Sequence, residues 1–189
     1  MANFGHYKQY DYGNVLYAGE PASYSACGPF ADANLMNKDP IEIMDWMTRH
    51  GYASNKHGTV WGGINDCLSD YGYSGKLIAT GCLGRSSLPI FNTWKNHIKN
   101  GKCGVLLMGV GKNNYWTNGG HYIAVVGYSA NSDEYLVIDS ANDARDGWHN
   151  FNDFDTNIKN LYTCEIVWNG VSDKFNIDYK VCVKGLINV

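Results

Sequence analysis

The sequence predicts an α+β fold in which N-terminal helices pack on a C-terminal, mainly antiparallel β-sheet. Helix-start signals and apolar residues at helical spacing dominate residues 27–101. After Gly101 the pattern changes to short apolar runs, which are typical of buried strands. The polar segment Asn131–Glu134 lies between two of these runs and predicts a hairpin turn. A chain of 189 residues suits one core, so we expect a single domain over residues 1–189.

The chain opens with a tyrosine-rich segment, residues 1–26, in which glycine and proline separate five tyrosines. This composition predicts an extended, loop-like lead-in, because glycine and proline interrupt regular structure. The next stretch, CGPFADANLM at Cys27–Met36, predicts a helix, because proline is favoured in the first helical turn. We expect this helix to begin at Pro29 and to end near Asn37, with Cys27 at or just before its start.

Further helices and strands follow from the same kinds of pattern. Cap residues, first-turn prolines and terminal glycines predict three more helices, which run from Asp39–Pro40 to Gly51, from Thr59 to about Tyr71, and from Ser86–Ser87 to Gly101. Apolar runs predict six strands, at residues 74–80, 103–110, 121–128, 134–140, 163–168 and 179–187. The order of these elements, with most helices ahead of most strands, is the basis for the α+β prediction.

Charge and hydropathy argue against two classes of partner. The chain has 15 basic and 18 acidic residues and a net charge of -3, so we expect no nucleic acid held by a basic face. No run of about 18 apolar residues is present, so we expect no membrane-spanning helix. The N-terminal segment lacks the apolar core of a signal peptide, and we therefore expect synthesis in the cytoplasm without one.

Cysteine and histidine spacing gives no sign of a metal site, and we expect no cofactor. None of the six cysteines lies within four residues of another, and the six histidines include no i, i+4 pair. Asn152–Asn157 is similar to a calcium loop, but Ile158 stands where that loop needs glycine and Cys164 where it needs glutamate. Wide spacing and the missing export signal indicate that the cysteines are mostly reduced.

Cys27 is the candidate nucleophile. A helix start offers unpaired N–H groups and the positive end of the helix dipole, which stabilise an anion. A thiolate there should have a lowered pKa, and the thiolate is the nucleophilic form of cysteine. The alternative is a small buried core residue, which is a common role for a free cysteine.

His121 and Asp139 are the candidate partners of this thiol. His121 opens a predicted strand behind Gly119 and Gly120, which should allow close backbone approach and leave the ring accessible. Asp139 ends the next strand of the predicted hairpin, where it can lie beside His121. Cysteine acyl transfer requires a histidine that an acid orients toward the thiol. Taken alone, each of these residues would be assigned a structural role, His121 as a satisfied or exposed histidine and Asp139 as a turn residue at a strand end.

Five segments together resemble one family: YKQYDYGNVLYAG, YSACGPFADANLM, HGTVWGGI, NYWTNGGHYIAVVGY and YLVIDSAND. The family is the bacteriocin-leader-processing (double-glycine) peptidase-like family of papain-like cysteine peptidases. The closest branch is that of phage endolysins and bacterial cell-wall hydrolases. The chain departs from the family pattern where Tyr10 separates Gln9 from Asp11. The resemblance covers about residues 7–145 and implies a papain-like fold.

The resemblance also implies roles for four residues. Cys27 would be the nucleophile, His121 the base and Asp139 the orienting acid. Gln9 matches the family glutamine whose side-chain amide helps to form the oxyanion hole. A tetrahedral oxyanion needs such preorganised donors, and the backbone N–H of Cys27 could supply a second one.

Three functions remain open at this point. The first is a peptidase or amidase that acts on bacterial peptidoglycan, made in the bacterial cytoplasm and acting on the cell wall after release. The second is a processing peptidase for a leader peptide or another protein. The third, from a different class, is a binding or immunity module on a degenerate peptidase fold. In each case we expect a monomer, whose substrate or ligand is peptidoglycan or a peptide.

Overall fold

A computed structural model of the protein describes residues 4–79, 88–109, 115–150, 153 and 158–166. Five α-helices lie in these ranges: α1 Ala22–Ser25, α2 Cys27–Met36, α3 Pro40–Arg49, α4 Trp61–Asp70 and α5 Leu88–Lys99. The same ranges contain ten strands: β1 Leu16–Tyr17, β2 Glu20–Pro21, β3 Ala53–Ser54, β4 Gly58–Thr59, β5 Tyr73–Ala79, β6 Cys103–Gly109, β7 Gly120–Ser129, β8 Glu134–Ile138, β9 Gly147–Asn150 and β10 Ile158–Ile166.

The central sheet has six strands in the order β5-β10-β6-β7-β8-β9, and every neighbouring pair is antiparallel. The α+β prediction is therefore confirmed. The turn after Ser129 joins β7 to β8 as the sequence predicts, with Ser129 paired to Glu134. No helix in the described ranges is long and apolar enough to cross a membrane.

Both faces of the sheet are covered. Alternate residues of β6 and β7, such as Val105 and Ala124, join α2, α3 and α4 in one buried cluster. The residues between them, such as Leu106 and Ile123, pack with Trp94 of α5 in a second cluster. Burial on both faces explains why these strands read as continuous apolar runs rather than as alternating ones.

The helix signals are confirmed in their main points. Asp39 caps α3, since its Oδ1 accepts a hydrogen bond from the backbone N–H of Ile41 at 2.9 Å. Asn37 ends α2 in the left-handed conformation, with φ of 50°. Helix α4 begins two residues later than predicted, because Thr59 belongs to β4 and pairs with Ala53.

The prediction of an extended lead-in over residues 1–26 is wrong. This segment holds a 3-10 helix at Gln9–Tyr12, the β1–β2 hairpin and α1. Tertiary contacts fold it, since Tyr17 and Ala22 are buried and the N–H of Ala22 donates to the carbonyl of Val15 at 2.8 Å. Strand β9 was not predicted either. Some predicted features lie outside the described residues. They are the capping serines 86–87, the ends of three predicted strands at residues 80, 110 and 167–168, the predicted strand at 179–187, and most of 152–157.

Candidate active site

Cys27 is the first residue of α2, and only Ala26 separates it from the end of α1. The helix therefore begins two residues earlier than the predicted start at Pro29, and the prediction that the thiol stands at a helix start is confirmed. The next residue, Gly28, must lack a side chain, because a Cβ there would lie 2.5 Å from Oγ1 of Thr59. Thr59 Oγ1 also hydrogen-bonds the hydroxyl of Tyr17 at 2.9 Å. The helix start is thus packed directly against β4.

Gly58, beside Thr59, is needed for the same packing. Its φ is +79°, and a Cβ there would lie 2.8 Å from the carbonyl oxygen of Ser25, two residues before Cys27. The glycine-threonine pair in the middle of the chain therefore acts as a support for the cysteine. This contact gives a physical reason for a motif that the sequence shows only as a pattern.

His121 lies near the start of β7, and Asp139 directly follows β8, the neighbouring strand. Both side chains are buried, and His121 Nε2 lies 2.7 Å from Asp139 Oδ1. The predicted juxtaposition of these residues across the hairpin is confirmed. Since Nε2 faces the carboxylate, Nδ1 is the ring nitrogen left for a second partner.

That second partner is the half-buried thiol of Cys27, which hydrogen-bonds the His121 ring. Burial by itself raises the pKa of Cys27, but the hydrogen bond and charge of His121, with the N–H groups of Tyr122 and Gly28, outweigh it and lower that pKa. Burial by itself lowers the pKa of His121, yet its bonds to Asp139 and Cys27 raise it to about 9. These opposite shifts favour a thiolate–imidazolium pair.

Asp139 is the third member of the site, and its carboxylate is buried. Burial raises its pKa, but the bond and charge of His121, the N–H of Ala141 and the charge of Arg145 prevail, so the pKa of Asp139 is lowered. The Ala141 N–H donates to Oδ1 at 2.8 Å, and Arg145 Nε lies 2.7 Å from Oδ2. The acid is therefore charged, and it can fix the tautomer of His121 and stabilise the imidazolium.

Gln9 is buried and attached to the same region. Its backbone N–H donates to the Ser140 carbonyl, and its Oε1 accepts from the Ser140 hydroxyl, both at 2.8 Å. Its Nε2 donates one proton to the carbonyl of Ala22 in α1, at 3.1 Å. A side-chain amide has two such protons, so this geometry leaves one for an oxyanion. The structure brings Gln9 beside the residue that follows Asp139.

The sequence analysis did not predict the residues that hold the backbone of Asp139 in place. Lys8 is buried, and its Nζ donates to the Asp139 carbonyl at 2.7 Å and to Asp146 Oδ2 at 2.5 Å. Asp146 Oδ1 in turn accepts from the backbone N–H of Asp139 at 2.7 Å. A cluster of charges directly after the strand-end acid, at Asp143, Arg145 and Asp146, is the signal that could have indicated them.

The two glycines before His121 act differently from the prediction. A Cβ on Gly119 would meet no described atom within 4 Å, and one on Gly120 would make an ordinary contact with Leu107 at 3.7 Å. The expected close backbone approach is therefore not found among the described residues. Within that part of the chain, no group of three potential ligand side chains is placed to hold a metal ion.

Comparison with known proteins identifies the family. Residues 1–172 match the model of the Peptidase_C39 like family, which is most of the chain, and the chain therefore belongs to this family. No curated protein sequence matches the chain significantly.

Solved structures similar to this fold include two with a TM-score above 0.5. The peptidase domain of Streptococcus ComA, a bi-functional ABC transporter involved in a quorum sensing pathway, is 16% identical, with a TM-score of 0.53 over 75% of this chain and 91% of that one. A C39-like peptidase candidate from Bacillus anthracis is 11% identical, with a TM-score of 0.55 over 88% of this chain and 96% of that one. At these identities the similarity shows a shared C39 peptidase, papain-like α+β fold.

Proposed function

We propose that this C39-like chain is an active cysteine peptidase, with Cys27 as nucleophile, His121 as general base and acid, and Asp139 as the orienting acid. The observation that carries the proposal is the set of contacts at the start of α2, where the Cys27 thiol interacts with the His121 imidazole and this imidazole with the Asp139 carboxylate. A degenerate binding or immunity module has no need of a thiol whose pKa is lowered or of a charged acid behind the histidine.

The proposed reaction has two halves. The Cys27 thiolate attacks the carbonyl carbon of the scissile bond and forms a tetrahedral oxyanion. The imidazolium of His121 gives its proton to the leaving amine, the C–N bond breaks, and a thioester remains on Cys27. Neutral His121 then takes a proton from water, the hydroxide attacks the thioester, and the carboxylic acid leaves as Cys27 is restored. Asp139 stays a carboxylate throughout.

The oxyanion would be stabilised by two donors, the backbone N–H of Cys27 and the second amide proton of Gln9. Each such donor is worth about 3 kcal/mol in the transition state. Support for Gln9 comes from its orientation, since Ser140 holds its carbonyl oxygen and Ala22 takes only one of its amide protons. Gln9→Ala should therefore lower kcat about a hundredfold or more while leaving the alkylation of Cys27 nearly unchanged.

For the substrate we favour a peptide or protein that is processed at one bond. The similarity to a peptidase domain of a transporter supports this choice over cell-wall hydrolysis, which the sequence placed first. Peptidoglycan is the second candidate. Three exposed tyrosines close to the site favour this second candidate. Tyr10 and Tyr24 are close in sequence, since Tyr10 follows Gln9 and Tyr24 lies three residues before Cys27. Tyr115 is close in space, since its carbonyl oxygen contacts Arg145. Aromatic rings of this kind can stack on sugars.

The test compares both substrates with one inactive control. Wild-type protein and the Cys27→Ala variant are incubated with a diverse peptide library and with purified cell walls, and released fragments are identified by mass spectrometry. Peptide cleavage that depends on Cys27 supports the first candidate, and release of wall fragments supports the second. If neither substrate is cut and the Cys27 thiol reacts no faster than an ordinary thiol, the proposal of a peptidase is wrong.

A further inference from the structure

The two oxygens of the Asp139 carboxylate have different partners, hydrogen-bond donors at Oδ1 and the charge of a guanidinium at Oδ2. His121 Nε2 and the Ala141 N–H approach Oδ1 at 2.7 and 2.8 Å. Arg145 Nε lies 2.7 Å from Oδ2 as an ion pair without hydrogen-bond geometry, and the Arg145 side chain is itself nearly buried, with 13% exposed. A group in this place must therefore accept hydrogen bonds at one terminal atom and present negative charge to a guanidinium at the other, which a carboxylate does and a neutral side-chain amide does not.

We infer that Arg145 is a positioning residue that holds the Asp139 carboxylate against His121 and makes aspartate, rather than asparagine, the required third member of the site. This inference rests on the proposed function of Cys27, His121 and Asp139. It adds to that function a fourth side chain, which contacts neither the thiol nor the imidazole and acts through the acid alone.

Arg145 is itself held by the segment that leads into His121. Its Nη1 donates to the carbonyl oxygens of Tyr115 and Trp116, at 2.8 and 2.5 Å. Its own carbonyl contacts the ring Nε2 of His149 in β9 at 2.9 Å. Because Gly120 begins β7 four residues after Trp116, the guanidinium ties the acid to the segment that precedes the histidine strand. The position of the Arg145 side chain is therefore fixed by the segment before His121 and by the residues that follow Asp139.

The backbone at Asp139 does not depend on Arg145. Its N–H donates to Asp146 and its carbonyl accepts from Lys8, each at 2.7 Å. Replacing the Arg145 side chain should leave this anchoring in place, so the variants should fold. The change would then act on the carboxylate group, through its rotation and through the loss of a neighbouring positive charge.

An asparagine at position 139 would not satisfy these neighbours in either orientation. If its NH₂ group faces Arg145, a group of partial positive charge opposes the guanidinium, and if it faces His121, the donors of His121 and Ala141 lose their acceptor. Unpaired buried polar groups are strongly unfavourable. With glutamine at 145, the side-chain oxygen of the glutamine can instead accept from the asparagine. The penalty of Asp139→Asn should therefore be smaller in that background.

The experiment is a double-mutant cycle with Asp139→Asn, Arg145→Gln and the combined variant. Arg145→Lys is the conservative variant, and Arg49→Gln, on the exposed last turn of α3, is the matched control. The readout is the rate at which iodoacetamide alkylates Cys27 between pH 4 and pH 10, followed on the Cys27 peptide by mass spectrometry. Thermal unfolding reports the folding of every variant.

We expect Asp139→Asn to slow the alkylation of Cys27 at neutral pH in both backgrounds. The factor of slowing should be severalfold larger in the wild-type background than in the Arg145→Gln background. This ratio of the two factors should fall within the range of about 2- to 100-fold found for contacting residues. Arg145→Gln should move the acid limb of the profile to higher pH, because a less firmly held Asp139 carboxylate stabilises the imidazolium counter-ion of the thiolate less well. Arg145→Lys should restore part of this shift, and Arg49→Gln should match the wild type.

Equal penalties of Asp139→Asn in both backgrounds, with an unmoved acid limb in Arg145→Gln, would overturn the role of Arg145. In that case, rapid alkylation of wild-type Cys27 at low pH would leave the proposed peptidase standing. Slow alkylation of wild-type Cys27, at the rate and pH dependence of an ordinary thiol, would overturn both. The two failures are therefore distinguishable in one data set.

Discussion

Two aspartates, Asp139 and Asp32, are both completely buried, yet their chemistry is opposite. The pKa of Asp139 is lowered, whereas burial raises the pKa of Asp32 well above its usual value. Donors, rather than the degree of burial, make the difference. Asp139 has His121 and Ala141 at Oδ1 and the charge of Arg145 beside Oδ2, while neither oxygen of Asp32 has a hydrogen-bond partner of good geometry among the described residues.

Each acid belongs to a neighbourhood that also contains a cysteine. Cys27, at the start of α2, has a lowered pKa because of His121. Cys67 in α4 contacts Asp32, and its pKa is raised by burial and by that acid. The same helix, α2, carries Cys27 at its first residue and Asp32 within its second turn. The start of the helix therefore carries a thiol whose pKa is lowered, and its second turn carries an acid whose pKa is raised.

The largest expected effect comes from removing each thiol in turn. Cys27→Ala should lower turnover by about four orders of magnitude or more, as loss of a nucleophile does, with the fold intact. Cys67→Ala is the matched control and should keep wild-type turnover, because Cys67 acts as a small core residue. Turnover is measured on a substrate found in the fragment screen. A Cys27→Ala variant that keeps more than a few per cent of wild-type turnover would show that Cys27 is not the nucleophile.

Next in size are the two partners of the thiol. His121→Ala should be nearly inactive, since it removes both the base and the counter-ion of the thiolate. Asp139→Ala should retain roughly ten- to a hundredfold more activity, because orientation of the ring is only partly lost. The kcat of each variant is compared with its Tm. Equal losses at both positions, or a loss that follows Tm alone, would contradict this ranking.

Thiol reactivity separates the two neighbourhoods directly. Cys27 should be alkylated rapidly well below pH 8.5, the approximate pKa of a free thiol, because its pKa is lowered by His121. Cys67 should stay unmodified in the folded protein, because it is fully buried and its pKa is raised. After denaturation without reductant, all six cysteines should react. A lower count would reveal a disulfide, and early labelling of Cys67 would remove the contrast.

The smallest effect concerns stability and pH. The pKa of Asp32 is raised in the folded state, so protonation of Asp32 stabilises the fold. This contribution is complete below about pH 4, the pKa of an aspartate in the unfolded chain. It is lost as the pH rises from there through the raised pKa of the folded state. Asp32→Asn should therefore reduce the fall in the free energy of unfolding between pH 4 and pH 8. Asp45→Asn, at an exposed position of α3, is the control. Urea unfolding across this pH range measures both, and identical slopes for wild type and Asp32→Asn would refute the burial argument.

Local signals in the sequence were sufficient for one half of the site. Gly28 and Pro29 after Cys27 indicated the helix start, and the polar turn before Glu134 indicated the hairpin that brings His121 to Asp139. Both features depend on backbone preferences of residues close together in the chain. The lead-in was predicted wrongly for the complementary reason, since its short elements are held by contacts such as that of Gly5 with Asn34.

The sequence by itself determined the order of the longer helices and strands from α2 to β8, the helix start at the thiol and the pairing of the histidine with its acid. Only the tertiary structure decided that Arg145 and Lys8 enclose Asp139, because Lys8 meets it across 131 residues of chain. The structure also decided the state of Asp32. Every residue of α2 from Gly28 to Met36 is buried, so no polar face in the sequence marked where that carboxyl would lie. The charge of a buried group depends on the donors that surround it in space, and neighbours along the chain do not specify them.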